Sequence, residues 1–249
     1  MENDDLIRRV QDLAGRCERQ GCMTNTSFLT PAECFTLRQL NLALGEVKMV
    51  LSGGKAGCER QVAFFLPYYM EEEDVAVEDV IKAVRIRAFF GAPGHRDYLG
   101  AILGLGIERN RVGDILLYDD GAAVFCLTGV APALLTDLEK VGRTGVKTEE
   151  IPLSAVPDVP KAVKTMHFTV KSLRLDAVTG DLFGLSRTSA AEMIRLGLVS
   201  LNYSVCEKPD APIWEGDVLS IRGKGKGAVT QIGGRSRKDR LFIEAELWL

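Results

Sequence analysis

Apolar residues at Leu6, Val10, Leu13 and Cys17 recur at three- and four-residue steps, which predicts an amphipathic helix over about 4–19. Thr30-Pro31-Ala32-Glu33 then places Thr at a helix N-cap, Pro in the first turn and Glu where its carboxylate reaches back to the cap. A second helix is expected from there to Leu44, with Gly45 as its stop. The short apolar runs at 47–51 and 61–66 suit strands, and the acidic run at 71–74 reads as a solvated boundary. From 80 to 90 apolar and polar positions alternate with the period of a strand. The stretch 95–104 puts Tyr98, Leu99, Ile102 and Leu103 on one helical side. Asp119-Asp120-Gly121 separates apolar runs at 114–118 and 122–127, a tight-hairpin signal because Asp-Gly accepts positive φ. A helix over 132–141 and a strand over 146–151 complete the order βαββαβ.

That order is the split βαβ of ferredoxin-like plaits, shared by RNA-recognition modules whose sheet aromatics stack bases. The third strand, 122–126, offers a single aromatic, Phe125, so base stacking by this sheet is not expected. Pro152, Pro157 and Pro160 then mark a stiff linker that continues neither helix nor sheet. Beyond it, Leu175, Val178 and Leu182 predict a helix over 172–183. Ser186 caps another over 187–196, with Ala190, Met193 and Ile194 inward, Arg187, Ala191 and Arg195 outward, and Gly197 as its stop. Strands are expected at 198–201, 218–222 and 241–249, and the basic, glycine-rich stretch 222–240 reads as a loop. The fold class is α+β: an N-terminal α/β region (1–74), a ferredoxin-like, RRM-like plait (75–152), a Pro-containing linker (153–167) and a C-terminal module (168–249).

Composition narrows the function. The 249 residues are 46% hydrophobic and 26% charged, and no apolar run approaches the ~20 residues of a membrane span. The acidic first residues do not open a signal peptide, and six cysteines are too dilute for a disulfide scaffold. A cytoplasmic protein is expected. Net charge is −3, yet its distribution is uneven: residues 161–249 hold 14 Lys and Arg against 10 Asp and Glu, leaving −7 on the remainder. A basic module attached to an acidic one is therefore expected.

Arg174-Leu175-Asp176, Leu185-Ser186-Arg187, Ser189-Ala190, Ile194-Arg195, Gly197, Val199, Asn202 and Gly216-Asp217 together resemble the S4 RNA-binding domain. The run from His95 to Ile107, with Gly113-Asp114-Ile115 and Val141-Gly142-Arg143, is similar to the YlmH family of bacterial S4 proteins. Thr30-Pro31-Ala32-Glu33, Gly53-Gly54 and Glu59-Arg60 are similar to that family's N-terminal part. The resemblance implies a non-enzymatic factor on the large ribosomal subunit, binding rRNA and tRNA. It would steady peptidyl-tRNA in ribosome-associated quality control while an alanine-tailing partner factor extends the stalled chain.

The residues of the basic module carry the same reading in physical terms. A helix N-terminus offers free N–H groups to phosphate, and Arg grips phosphate bidentately. Candidate RNA contacts are Arg174, Ser186, Arg187, Thr188, Arg195, Asn202, Arg222, Lys224 and Lys226, with His95 and Arg96 in the plait. Catalytic chemistry is poorly provided for. Two histidines, His95 and His167, give a triad little to draw on, and no Cys-x-x-Cys pair holds a metal. Gly53-Gly54-Lys55 lacks the Ser/Thr and first Gly of a phosphate loop, and Gly104-x-Gly106 lacks the third glycine of a dinucleotide site. No cofactor, metal or membrane partner is expected. The competing reading is an S4-docked rRNA-modifying enzyme such as a pseudouridine synthase, since Arg174-Leu175-Asp176 also resembles the Arg-Leu-Asp of those enzymes, whose Asp is catalytic; a capping or pairing role for Asp176 is preferred.

Overall fold

A computed structural model describes residues 2–40, 42–159 and 163–248. Asn41, Pro160, Lys161 and Leu249, which the sequence reading placed in a helix, the linker, the basic segment and the last strand, lie outside them. The chain divides into two compact units, Met1–Val159 and Pro160–Leu249.

In the first unit, α1 (Glu2–Gln20) buries Leu6, Val10, Ala14 and Cys17 against Leu29, Leu37 and Phe65. After β1 (Thr24–Asn25) comes α2 (Pro31–Gln39), started by the capping box read from sequence. Thr30 Oγ1 accepts the Glu33 N–H at 3.2 Å, and Glu33 Oε2 accepts the Thr30 N–H at 2.7 Å. The helix stops short of Leu44: Leu40 turns to extended backbone, while Leu42 and Leu44 pack on the α1 core from non-helical chain. Burial wins over helical periodicity there. Strands β2 (Lys48–Ser52) and β3 (Val62–Leu66) complete a sheet of order β1-β3-β2. Strand β3 is buried on both sides, with Ala63 and Phe65 toward α1 and Val62, Phe64 and Leu66 toward the plait.

The plait follows as α3 (Val77–Val80), β4 (Ile81–Ala88), α4 (His95–Gly104), β5 (Val112–Tyr118) and β6 (Gly121–Leu127). It closes with α5 (Ala131–Thr136), β7 (Lys140–Val141) and β8 (Thr144–Ile151). Its order β5-β6-β4-β8, with β7 on the edge, is the antiparallel ferredoxin-like arrangement. The helix expected over 132–141 ends at Thr136, because Lys140 and Val141 pair with Gly145 and Thr144 across a turn where Gly142 takes φ +59°. One sheet face, with Val84, Ile86, Val124 and Cys126, packs on Tyr98, Ile102 and Leu134 of α4 and α5. The other, with Ile81, Ala83, Ala123 and Phe125, packs on Phe28, Val62, Phe64 and Leu66. Phe125 is fully buried and meets no base.

In the second unit, β9 (Val163–Val170) precedes α6 (Leu175–Leu182) and α7 (Arg187–Arg195). The rest is β10 (Val199–Leu201), β11 (Ser204–Val205), β12 (Val218–Ile221), β13 (Gly225–Arg235) and β14 (Leu241–Trp248). They form a six-stranded antiparallel sheet of order β11-β10-β12-β13-β14-β9 under the two helices. Leu175, Val178, Leu182, Ile194, Val199, Leu219, Val229 and Ile243 share its core. Two sequence expectations fail here. Residues 163–167, read as linker, belong to β9, whose Met166, Phe168 and Val170 alternate toward the core. The stretch read as a loop over 222–240 is mostly β13, paired on both sides and bulged between Val229 and Gln231 and between Ile232 and Arg235. Glycine forms strand here because a Cβ on Gly227 would lie 2.5 Å from Glu246 O and 3.2 Å from Leu182 Cδ2.

Candidate nucleic-acid interface

The start of α6 is organised around a buried acid. Asp176 is only 4% exposed, and its N–H donates to Pro209 O at 2.9 Å. Arg174 donates Nε and Nη2 to its two carboxylate oxygens, each at 3.2 Å. Arg187, the first residue of α7, donates Nε and Nη2 at 3.1 and 3.3 Å. Burial alone pushes the Asp176 carboxyl up, and the hydrogen bonds from Arg174 and Arg187 outweigh it, leaving the group below the usual carboxylate value. This clamp ties the two helices together at their N-terminal ends. Arg187, read from sequence as an outward candidate contact to phosphate, thus shares its guanidinium with Asp176, while over half of its side chain remains exposed.

Ser186 caps α7, its Oγ accepting the Ser189 N–H at 3.1 Å, and Thr188 lies exposed beside it. Arg195 is exposed in the last turn, but Ala191, expected on the same outward face, is buried. Arg222 follows β12, and its N–H donates to Leu198 O at 3.0 Å just past the end of α7, so Arg195 and Arg222 border the same end of that helix. Lys224 is exposed in the turn between β12 and β13. Among the described residues, Arg195, Arg222 and Lys224 have no ion-pair partner.

Lys226 lies between aromatic rings, its Nζ 4.2 Å from the Tyr203 centroid and 4.7 Å from that of Trp248. The sequence reading passed over both aromatics. A signal for Tyr203 was there: Asn202-Tyr203 reads as a two-residue hairpin turn, and both residues take positive φ, 51° and 69°. Asn202 itself is engaged inside the protein. Its Nδ2 donates to Asp217 Oδ1 at 2.8 Å and its Oδ1 accepts the Val218 N–H at 2.9 Å, which braces the hairpin rather than presenting an amide to RNA. Further along, Arg235 pairs with Asp239 at 2.6 Å, and Arg240 donates to Thr169 Oγ1 at 2.9 Å and to Thr169 O. Arg237 and Lys238 are exposed.

The remaining candidates, His95 and Arg96, lie in the first unit as the exposed first residues of α4. In the same unit the glycines that invited a phosphate loop serve packing. A Cβ on Gly54 would meet Ile81 and Phe125 at 3.0 Å, and Lys55 Nζ donates to Val156 O at 2.8 Å and pairs with Asp158 at 2.9 Å. Glu59 and Arg60 donate their backbone N–H groups to the Asp114 carboxylate at 2.7 and 3.1 Å, which anchors that loop to β5. Burial pushes the thiols of Cys17 and Cys34 up and that of Cys126 up to about 12, the reverse of an activated nucleophile.

A two-unit α+β protein with a plait in one unit and an exposed basic helix-and-hairpin surface on the other fits RNA-binding proteins as a class. A family model described as the putative RNA-binding domain in YlmH matches residues 77–155. The chain is 33% identical over 229 residues to the ribosome-associated protein quality control protein P2 of Bacillus subtilis (strain 168), covering 92% of this chain and 89% of that protein. Its fold is similar to that of the cell division protein ylmH from Streptococcus pneumoniae, with a TM-score of 0.55 and 23% identity, across 64% of this chain and 96% of the other. The chain belongs to the YlmH family.

Proposed function

We propose that this protein is a non-enzymatic, cytoplasmic RNA-binding factor of the large ribosomal subunit. It binds rRNA and peptidyl-tRNA during rescue of stalled nascent chains, and works with a partner factor that adds C-terminal alanine. The observation that carries the reading is a set of exposed bases without an ion-pair partner among the described residues, Arg195 and Arg222 at one end of α7 and Lys224 in the turn after β12, on a segment carrying +4. Such a surface takes the phosphate backbone of RNA, and its attraction extends about 8–10 Å at cellular salt. The S4 resemblance fits the α6–α7 pair and its sheet, and the relative named for ribosome-associated quality control supports the setting. The family model's description supports RNA as the ligand.

The competing reading, an rRNA-modifying enzyme, needs Asp176 as a catalytic residue open to substrate. Both of its oxygens are held by two guanidinium groups, so the carboxylate is turned into the protein rather than toward a substrate. The triple variant Arg195→Ala, Arg222→Ala, Lys224→Ala should lose large-subunit co-sedimentation while unfolding at the wild-type temperature. Its salt slope for RNA binding should fall by roughly one unit per phosphate contact removed. Retained co-sedimentation at cellular salt would refute the assignment, and loss of a specific rRNA pseudouridine in cells carrying Asp176→Asn would move it to the enzyme class.

A further inference from the structure

The plait of an RNA-recognition module reads bases on its open sheet face. In this protein that face is filled: Ile81, Ala83, Ala123 and Phe125 are buried against the N-terminal sheet, and the opposite face is covered by α4 and α5. If the plait contacts RNA, it does so elsewhere. At one end of the sheet, the segment leaving β4 exposes two adjacent aromatics, Phe89 (69% exposed) and Phe90 (62%). Nothing in sheet formation requires them to face water, since each exposed Phe forgoes about 1.5–3 kcal/mol of burial.

The segment is held in place. Phe89 N–H donates to Gly145 O at 3.0 Å, and Phe90 N–H donates to Thr144 Oγ1 at 3.3 Å. The Phe89 ring lies over Gly145, with Cδ2 2.9 Å from where a Cβ at 145 would sit, so glycine makes room for it. Between this segment and the β7–β8 hairpin lies a cleft of about 400 Å³, lined by Phe90, Pro93, Asp97, Val141, Gly142 and Arg143. Its volume is that of a site for one small planar ligand. Around it, Arg96 and Arg143 are exposed and have no ion-pair partner among the described residues. The one acid of the lining, Asp97, already accepts the Gly94 N–H at 2.8 Å. A largely apolar slot with one aromatic wall, Phe90, and nearby exposed guanidinium groups matches the chemistry of a nucleotide: a π-face to stack and phosphates to neutralise.

We infer that this cleft holds an unpaired base of bound RNA, stacked on Phe90 and flanked by Phe89, with Arg96 and Arg143 on the adjoining phosphates. The inference rests on the RNA-binding reading above and gives it a second, short-range contact within the first unit. It also gives a role to His95-Arg96 and Val141-Gly142-Arg143, which the basic surface of the second unit leaves without one.

The test uses the full chain and an RNA stem-loop with 4-thiouridine in an all-uridine loop. Photo-crosslinking followed by peptide mapping should place the loop uridine on residues 89–97 or 141–144. The double variant Phe89→Ala, Phe90→Ala should bind the stem-loop about tenfold more weakly with an unchanged salt slope, as loss of stacking requires. Arg143→Ala should instead lower the slope by about one unit. Crosslinks confined to 163–248, or wild-type affinity in the double variant, overturn the inference while leaving the basic surface as anchor. Failure of the wild-type chain to bind RNA at all overturns both readings. Lost ribosome association with unaltered RNA affinity in the double variant would assign the cleft to a protein and refute a nucleotide occupant.

Discussion

Asp176 shows how one residue can serve folding while resembling a catalytic group. A buried carboxylate is costly unless its lone pairs are filled, and here four guanidinium N–H groups fill them. Because Arg174 and Arg187 are partly solvated, their charges rehydrate when the acid is removed, which discounts the loss. Asp176→Asn should therefore destabilise the second unit by about 1–3 kcal/mol at neutral pH. The pH dependence has a definite sign. The folded-state value lies below the ordinary carboxylate value, so the unfolded chain binds more protons in acid and stability rises with pH there. The Asp176 contribution is complete above about pH 4–5 and fades as pH falls below the ordinary value of 3.8 toward the folded one. Urea unfolding of wild type and Asp176→Asn from pH 3 to pH 7 should show the two curves converging at the acid end; a constant gap would contradict the clamp. Sequence alone suggested that Asp176 caps or pairs. It did not show that Arg187 is one of the pair, because the contact joins two helices and depends on how they cross.

At the scale of elements, apolar periodicity identified α1, α4, α6, α7 and β4, and the Asp-Gly turn between two apolar runs marked β5 and β6. It failed where close backbone packing replaced side-chain pattern. Strand β13 has glycines at 225, 227, 233 and 234, which removes the apolar alternation that marks a strand. Its pairing with β12 and β14, and the passage of Leu182 over Gly227, supply the stability that side chains do not. The basic residues of that stretch were legible, but their placement on a hairpin was not. A contrast between two glycines of the same strand tests this account. Gly227→Ala forces a methyl group against Glu246 O and Leu182 and should cost about 1–3 kcal/mol. Gly234→Ala meets nothing within 4 Å and should change stability by less than about 0.5 kcal/mol. Thermal unfolding of both variants decides it, and equal effects would mean that β13 tolerates a side chain where the geometry excludes one.

Across the whole molecule, charge is divided unevenly between the two units. The first carries −7 and the second +4, so long-range attraction to phosphate must come from the second. The second also has its own core, with Val170, Leu175, Val178, Ile194, Leu219 and Ile243 buried together. A fragment of 160–249 should therefore fold cooperatively alone and bind structured RNA with a steep salt dependence and little discrimination between sequences. The 1–159 fragment, repelled by phosphate at a distance, should bind far more weakly, because stacking in the Phe90 cleft acts only at contact. Linking the two changes the outcome: once the basic surface has captured the RNA, the cleft samples a high local concentration of unpaired bases and adds selectivity without having to provide capture. Titrations of both fragments and the intact chain at two salt concentrations separate these contributions. The intact chain should exceed the 160–249 fragment most clearly for RNA with an open loop, and by little for an uninterrupted duplex of equal length. Equal affinity of the 1–159 fragment and the intact chain would place the main anchor in the acidic unit, where its field opposes the ligand, and would require contacts strong enough to overcome that repulsion.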